Sequence, residues 1–320
     1  MLRVGVVGVG FWGKNHVRVL SELPNVKVEA VCDIDIERAR NVAAKYNVMY
    51  YYSNIDEMLR NHALEAVSIC TPSVSHAELT IKCLEAGVNV FVEKPLASTL
   101  NECLNIIDTA KSCNRTVMTG FIERFNPGVV KAKELLRNGE IGDVIMSHSR
   151  RIGWWPERIG DVGVVKDTAI HDIDLARHIF EDEPSLVYAR GGRQRHTIAE
   201  DHVQAILSFR DNDKTAFIEA NWLTPRKKRE MYITGSNGVL TIQFLTQQLV
   251  IEKADIVMEP LLKYEEPLKN ELSYFVDCLM NKSKPKPDEI DGAKAIAIAE
   301  AILESIDKNK SIEPRLKDIT

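Results

Sequence analysis

The chain has 320 residues, 45% of them hydrophobic and 27% charged, which is the profile of a water-soluble globular protein too long for one core and sized for two domains. Its 41 Lys and Arg against 46 Asp and Glu leave a formal net charge of -5, which argues against nucleic acid or an anionic membrane as partner and favours a small molecule. No apolar run is long enough to span a bilayer, and a strand pattern starts within three residues of Met1, so neither an anchor nor a signal peptide is expected and the expected location is cytoplasmic.

Residues 4 to 13 are a short apolar strand running into Gly8-x-Gly10-x-x-Gly13, and Asp33 closes the next apolar run twenty residues after Gly13. Gly8 permits the tight turn, Gly10 lets a pyrophosphate approach the backbone, and Gly13 lets the following helix pack close to the sheet. That helix faces the anion with its N–H groups and the positive end of its dipole, while Phe11 and Trp12 sit in the turn itself. Asp33 suits the ribose hydroxyls of NAD and repels the 2′-phosphate of NADP. Arg38, a helical turn further on, is the nearest basic residue.

Strand patterns at Arg3–Gly8, Lys27–Cys32, Ala66–Cys70, Val88–Val92 and Thr116–Thr119 alternate with helical spacing, which predicts a doubly wound parallel sheet over residues 1–120. After the third of these strands come Thr71-Pro72 and then His76. In such a sheet ligands lie beyond the carboxyl ends of the strands, so this loop borders the cofactor crevice, with His76 either a crevice residue or a polar residue at a helix start. Glu93-Lys94-Pro95 ends the fourth apolar run. Lys94 there either points into the crevice, where an ammonium supports negative charge on a substrate oxygen, or joins Glu93 as a solvated charge before a proline turn. Thr99 and Glu102 form a capping box for the next helix.

Residues 121–320 change character. Helices are expected near Val129–Asn138, Ile170–Glu181 and Ala293–Ser305, and strands at Val144–Arg150, Leu186–Gly191, His202–Phe209, Thr215–Trp222, Glu230–Thr234, Val239–Phe244 and Leu249–Glu252. Short turns such as Arg210–Asp213 and Gly235–Gly238 imply that consecutive strands pair antiparallel, giving an open α+β sheet with helices on one face. Asp167 and His171 are four apart and share a face if a helix starts there, so the histidine could accept a hydroxyl proton beside a carboxylate. Asp167 could instead cap the helix, and Asp172 and Asp174 read as favourable charge at its N-terminus. Cys32, Cys70, Cys83, Cys103, Cys113 and Cys278 have neither C-x-x-C pairing nor zinc spacing, so reduced thiols and no metal site are expected.

Taken together, Gly8–Gly13 with His16, Thr71-Pro72 with His76, Glu93-Lys94-Pro95, Arg124-Phe125-Asn126-Pro127 and Asp167-x-x-x-His171 resemble the Gfo/Idh/MocA oxidoreductases over the full length of the chain. The resemblance implies a Rossmann domain followed by a mostly antiparallel sheet domain, bound NAD or NADP, and reversible oxidation of a sugar or polyol hydroxyl. It implies Lys94, Asp167 and His171 as the catalytic group, Arg124 as a further substrate contact, and dimers or tetramers paired through the exposed face of the second sheet. The segment Gly153–Asp167 is similar to a subgroup that oxidises the 3-hydroxyl of UDP-N-acetylglucosamine, and it lacks the glycine run that common members carry before the catalytic Asp. Arg158 is then a diphosphate contact or a structural ion pair with Glu157 and Asp161, and Trp154 or Trp155 a wall for sugar or uracil or else interdomain packing. Pro225–Arg229 read as a phosphate site or a solvated strand connection. An inositol or other sugar dehydrogenase, and a regulatory protein that senses the dinucleotide without turnover, are the alternatives.

Overall fold

In the computed structural model, which describes residues 1–156, 162–195, 198–209 and 214–319, the alternating apolar runs of the first 120 residues become a six-stranded parallel sheet. Its strands β1 (Leu2–Val7), β2 (Val26–Cys32), β3 (Tyr50–Tyr52), β4 (Ala66–Ile69), β5 (Asn89–Glu93) and β6 (Val117–Gly120) lie in the order β3-β2-β1-β4-β5-β6. This order reverses between β1 and β4, the place where dinucleotides bind in such sheets. Val6, Val31, Val67, Val90 and Phe91 are fully buried, because helices cover both faces of a parallel sheet. Those helices are α1 (Gly13–Glu22), α2 (Ile36–Tyr46), α3 (Ile55–Asn61), α4 (His76–Glu85) and α5 (Leu100–Cys113), the last started by the Thr99–Glu102 capping box.

Residues 122–267 and 294–320 form the second unit. It contains α6 (Pro127–Arg137), β7 (Val144–Trp154), α7 (Ile170–Phe180), β8 (Pro184–Gly192), β9 (His202–Phe209), β10 (Thr215–Asn221), β11 (Leu223–Gly235), β12 (Gly238–Gln243), β13 (Gln248–Glu252) and β14 (Val257–Met258). The sheet order is β14-β13-β12-β11-β7-β10-β9-β8, antiparallel at every pairing except β7 with β10. Consecutive β10 and β11 therefore do not pair, contrary to the short-turn expectation. β7 lies between them, and Arg150 on β7 is opposite Glu219 of β10 and Glu230 of β11, so one cation joins three strands. Residues 226–229 belong to β11 and are no separate connection, although Arg226 to Lys228 are exposed.

A division of the chain at residue 120 also needs correcting. Leu268–Ala293, expected in the second domain, packs with residues 1–121. α8 (Pro267–Met280), unmarked in the sequence reading, places Phe275 edge-on against Phe91 at 5.7 Å, and Gly292 in α9 (Glu289–Lys308) lies so close to Leu96 and Thr119 that a side chain there would collide. The second crossing of the chain thus completes the core of the first unit. The six cysteines are all free, four of them buried, and among the described residues no helix is long and apolar enough to cross a membrane.

Candidate functional site

The glycine turn has the shape that a pyrophosphate needs. Gly8 adopts φ +82°, and a Cβ there would lie 2.7 Å from the Thr71 backbone nitrogen, so the loop after β4 can press against the turn only because position 8 has no side chain. A Cβ on Gly13 would lie 1.9 Å from the Gly8 carbonyl oxygen, whereas one on Gly10 would meet nothing within 4 Å. Helix packing requires the first gap, and a ligand can use the second. No side chain caps α1 and no acidic residue lies in its first turn, so the residues present fit a dinucleotide diphosphate.

Asp33, 5% exposed, ties β2 to this turn, since its Oδ2 accepts a hydrogen bond from Val9 N at 2.9 Å. Its Oδ1 accepts from Asp35 N and from Arg38 Nη1, both at 3.0 Å. The half-exposed Arg38 therefore neutralises the carboxylate expected to discriminate against a 2′-phosphate. If Asp33 is the ribose acceptor, its replacement by Ala removes that acceptor and releases Arg38. We expect kcat/KM with NAD to fall by about tenfold and that with NADP to rise by about as much, each tenfold being about 1.4 kcal/mol. Steady-state kinetics with the two cofactors checks this, and an unchanged ratio would leave Asp33 only its ties to Val9, Asp35 and Arg38.

Lys94 follows β5, and the residues on both sides of it are held from elsewhere in the first unit. Glu93, expected at the cofactor, turns inward. Its Oε1 accepts from Trp12 Nε1 at 2.7 Å and lies 3.1 Å from His16 Nε2, while its Oε2 accepts from Lys94 N at 3.2 Å. Burial works against a charge on His16, but the Cys70 sulfur and the Glu93 carboxylate outweigh it and push the imidazole up to about 10. Burial also opposes ionisation of Glu93, yet His16, Trp12 and Lys94 hold its carboxyl below the usual carboxylate range. The result is a buried ion pair under the glycine turn. His76, also expected at the cofactor, is 1% exposed, with Nδ1 2.7 Å from the Pro95 carbonyl oxygen and Nε2 2.9 Å from that of Thr71. Thr71 packs against the turn at Gly8, and Phe11 projects outward at 70% exposure. All these residues meet at the carboxyl ends of β1, β2, β4 and β5.

In the second unit, Asp167 lies in a single π-helical turn, Val165–Ala169, and His171 is the second residue of α7. Such wide turns recur at functional positions because they displace a side chain from the regular ladder. Asp167, 7% exposed, accepts a hydrogen bond from Thr168 Oγ1 at 3.1 Å, and that hydroxyl accepts from Trp222 Nε1 at 2.9 Å. The start of the turn is held by Glu200, whose Oε1 accepts from Val165 N at 2.9 Å. Neither Thr168, Trp222 nor Glu200 carries a local signal, because each acts across a fold contact between distant segments or through a neighbour.

Several charged residues have partners that their spacing did not suggest. Arg124, expected to contact substrate, donates from Nε and Nη2 to both oxygens of Asp174 at 2.7 and 2.6 Å. The guanidinium braces α7. Asp172, expected as helix-end charge, is 1% exposed and accepts a two-point contact from Arg151, which also donates to Glu123 at 2.7 Å. Trp155 packs edge-on against Trp222 at 5.6 Å, while Trp154 is 53% exposed with the Arg195 guanidinium 4.1 Å above its ring. Arg158, with Glu157 and Asp161, lies outside the described residues, as does the turn at 210–213. Among the described residues no cluster of His, Cys, Asp and Glu could hold a metal ion.

Comparison with known proteins agrees with this architecture. Residues 2–121 match the oxidoreductase family model for an NAD-binding Rossmann fold, and residues 129–241 match the C-terminal domain of the same family. An inositol 2-dehydrogenase of Saccharopolyspora erythraea is 29% identical over 332 residues, covering 99% of this chain and 96% of that one. An uncharacterized oxidoreductase of Streptococcus pneumoniae is 30% identical over 257 residues, 76% of this chain and 68% of its own. The structure of a UDP-N-acetylglucosamine 3-dehydrogenase from Acidithiobacillus ferrooxidans superposes with a TM-score of 0.88 at 25% identity, covering 96% and 98% of the two chains. With its dinucleotide turn, six-stranded Rossmann sheet and mostly antiparallel second sheet, the chain belongs to the Gfo/Idh/MocA family of oxidoreductases.

Proposed function

We propose that this protein is an NAD-dependent dehydrogenase that oxidises a secondary hydroxyl of a sugar, the 3-hydroxyl of UDP-N-acetylglucosamine or a related nucleotide sugar. The observation that carries the dehydrogenase reading is Lys94, an ammonium on a turn fastened to the dinucleotide cradle through Glu93 and Pro95. When bound, the nicotinamide supplies the hydride acceptor. His171 takes the hydroxyl proton, Lys94 stabilises the negative charge that develops on the oxygen, and Asp167, oriented by Thr168, fixes the hydroxyl. Gly8, Gly10 and Gly13 hold the diphosphate of the cofactor and Asp33 its ribose. Self-association through the open face of the second sheet fits the exposed Met146, Leu186, Tyr188 and Ile206.

The nucleotide-sugar reading is supported by the 25% identity to the UDP-N-acetylglucosamine 3-dehydrogenase over nearly the whole chain, and by the exposed Trp154 with Arg195 over its ring, a pair suited to a flat base and a diphosphate. The inositol 2-dehydrogenase, 29% identical over 99% of this chain, favours an inositol as a second reading. A nucleotide diphosphate offers binding energy remote from the reacting carbon, so UDP-N-acetylglucosamine should surpass free N-acetylglucosamine in kcat/KM by at least on the order of tenfold. The assay compares UDP-N-acetylglucosamine, N-acetylglucosamine, glucose and myo-inositol as hydride donors to NAD, with hydrazine to trap the ketone. If myo-inositol or a free hexose is the better donor, the nucleotide-sugar reading is wrong.

A further inference from the structure

Two buried histidines contact the residues that flank Lys94 along the chain, Glu93 and Pro95. On its N-terminal side, His16, 0% exposed, lies 3.1 Å from the Glu93 carboxylate, and its other ring nitrogen is 2.9 Å from Ser68 Oγ on β4. On its C-terminal side, His76 lies 2.7 Å from the Pro95 carbonyl oxygen and 2.9 Å from that of Thr71. Carbonyl oxygens only accept, so His76 satisfies both only when it donates from both ring nitrogens. Trp12, in the glycine turn, completes the arrangement by donating to Glu93 at 2.7 Å. Each contact runs from the residue before or after Lys94 to a segment of the cofactor cradle, namely the glycine turn with α1 or the loop after β4.

We propose that His16 and His76 are positioning residues which brace the Glu93–Pro95 turn from its two sides and so register Lys94 against the dinucleotide cradle. The physical reason is the flexibility of the lysine. Its four-carbon stem gives little directional control, so the place of its ammonium depends on how firmly its own backbone is held. A misplacement of about 1 Å can cost a reaction about 10²-fold. Bracing through neighbours also ties Lys94 to the cradle, because any shift of Trp12 or Thr71 would be carried to Glu93 and Pro95.

The proposal rests on Lys94 acting in catalysis, and the test separates the two claims. His76→Gln removes one of the two donors. Trp12→Phe, at a site 38% exposed, removes the indole N–H from Glu93 and keeps an aromatic ring there. Turnover is measured with NAD and the best donor of the four-sugar panel, and NADH affinity by the fluorescence of the bound nicotinamide. Each variant should lose about ten- to hundredfold in kcat while NADH affinity stays within about threefold. In a Lys94→Ala background the same substitutions should cost less than about twofold, because a residue that acts through Lys94 has nothing left to position. Equal losses in both backgrounds overturn the proposal. If Lys94→Ala retains full turnover, the catalytic reading of Lys94 fails, and reductive methylation then decides the bracing alone. The rate of Lys94 modification, read by mass spectrometry against the exposed Lys263, should change in both variants, and an unchanged rate in both overturns the bracing.

Discussion

Replacing His171 with Asn is expected to lower turnover by about 10²–10⁴-fold, the usual contribution of a positioned general base, with NAD affinity little changed. Asparagine approximates the size of the ring but cannot accept a proton at neutral pH. The fold should tolerate the exchange, because α7 is held on the protein side by neighbours of His171. Asp172 is paired with Arg151, and Asp174 with Arg124 and Arg177. The residual activity has a signature of its own. Once no side chain takes the proton, hydroxide must, and the logarithm of kcat should rise with pH where the wild-type enzyme levels off. Stopped-flow formation of NADH across the pH range checks both statements. A variant that keeps the wild-type rate and profile would show that the base lies elsewhere.

Lys94→Ala should reduce turnover by about 10²–10³-fold, the range seen when a single donor to a developing oxyanion is removed. The effect should fall on kcat, since the charge that Lys94 opposes exists mainly in the transition state, whereas the ground-state hydroxyl is neutral. If Gly8, Gly10, Gly13 and Asp33 hold the dinucleotide as proposed, NADH affinity should stay within about threefold. Isothermal titration with NADH and single-turnover kinetics with the best sugar separate the two quantities. Normal turnover combined with weak NADH binding would assign Lys94 to the cofactor.

Much of the candidate site was legible because its signals are local. A glycine turn between strand and helix, and a carboxylate at the end of the next strand, fall within some thirty residues and specify one backbone geometry. Lys94 stood out by its place at the end of an apolar run, and Asp167 with His171 by their spacing. The tasks of their neighbours were not legible in the same way. Glu93 and His76 were expected at the cofactor, yet their side chains hold the protein together on either side of Lys94, with partners 5 to 81 residues away.

The sequence by itself determined the doubly wound sheet and the mostly antiparallel second sheet, since periodicity, turn chemistry and strand ends are properties of short segments. Only the tertiary structure decided that Arg124 pairs with Asp174, that Asp172 is buried against an Arg151 shared with Glu123, that β7 separates β10 from β11, and that Leu268–Ala293 returns to the first unit. A charge in a sequence reads the same whether water or an opposite charge surrounds it. Which of the two it meets depends on segments 21 to 50 residues away that the fold alone brings into contact.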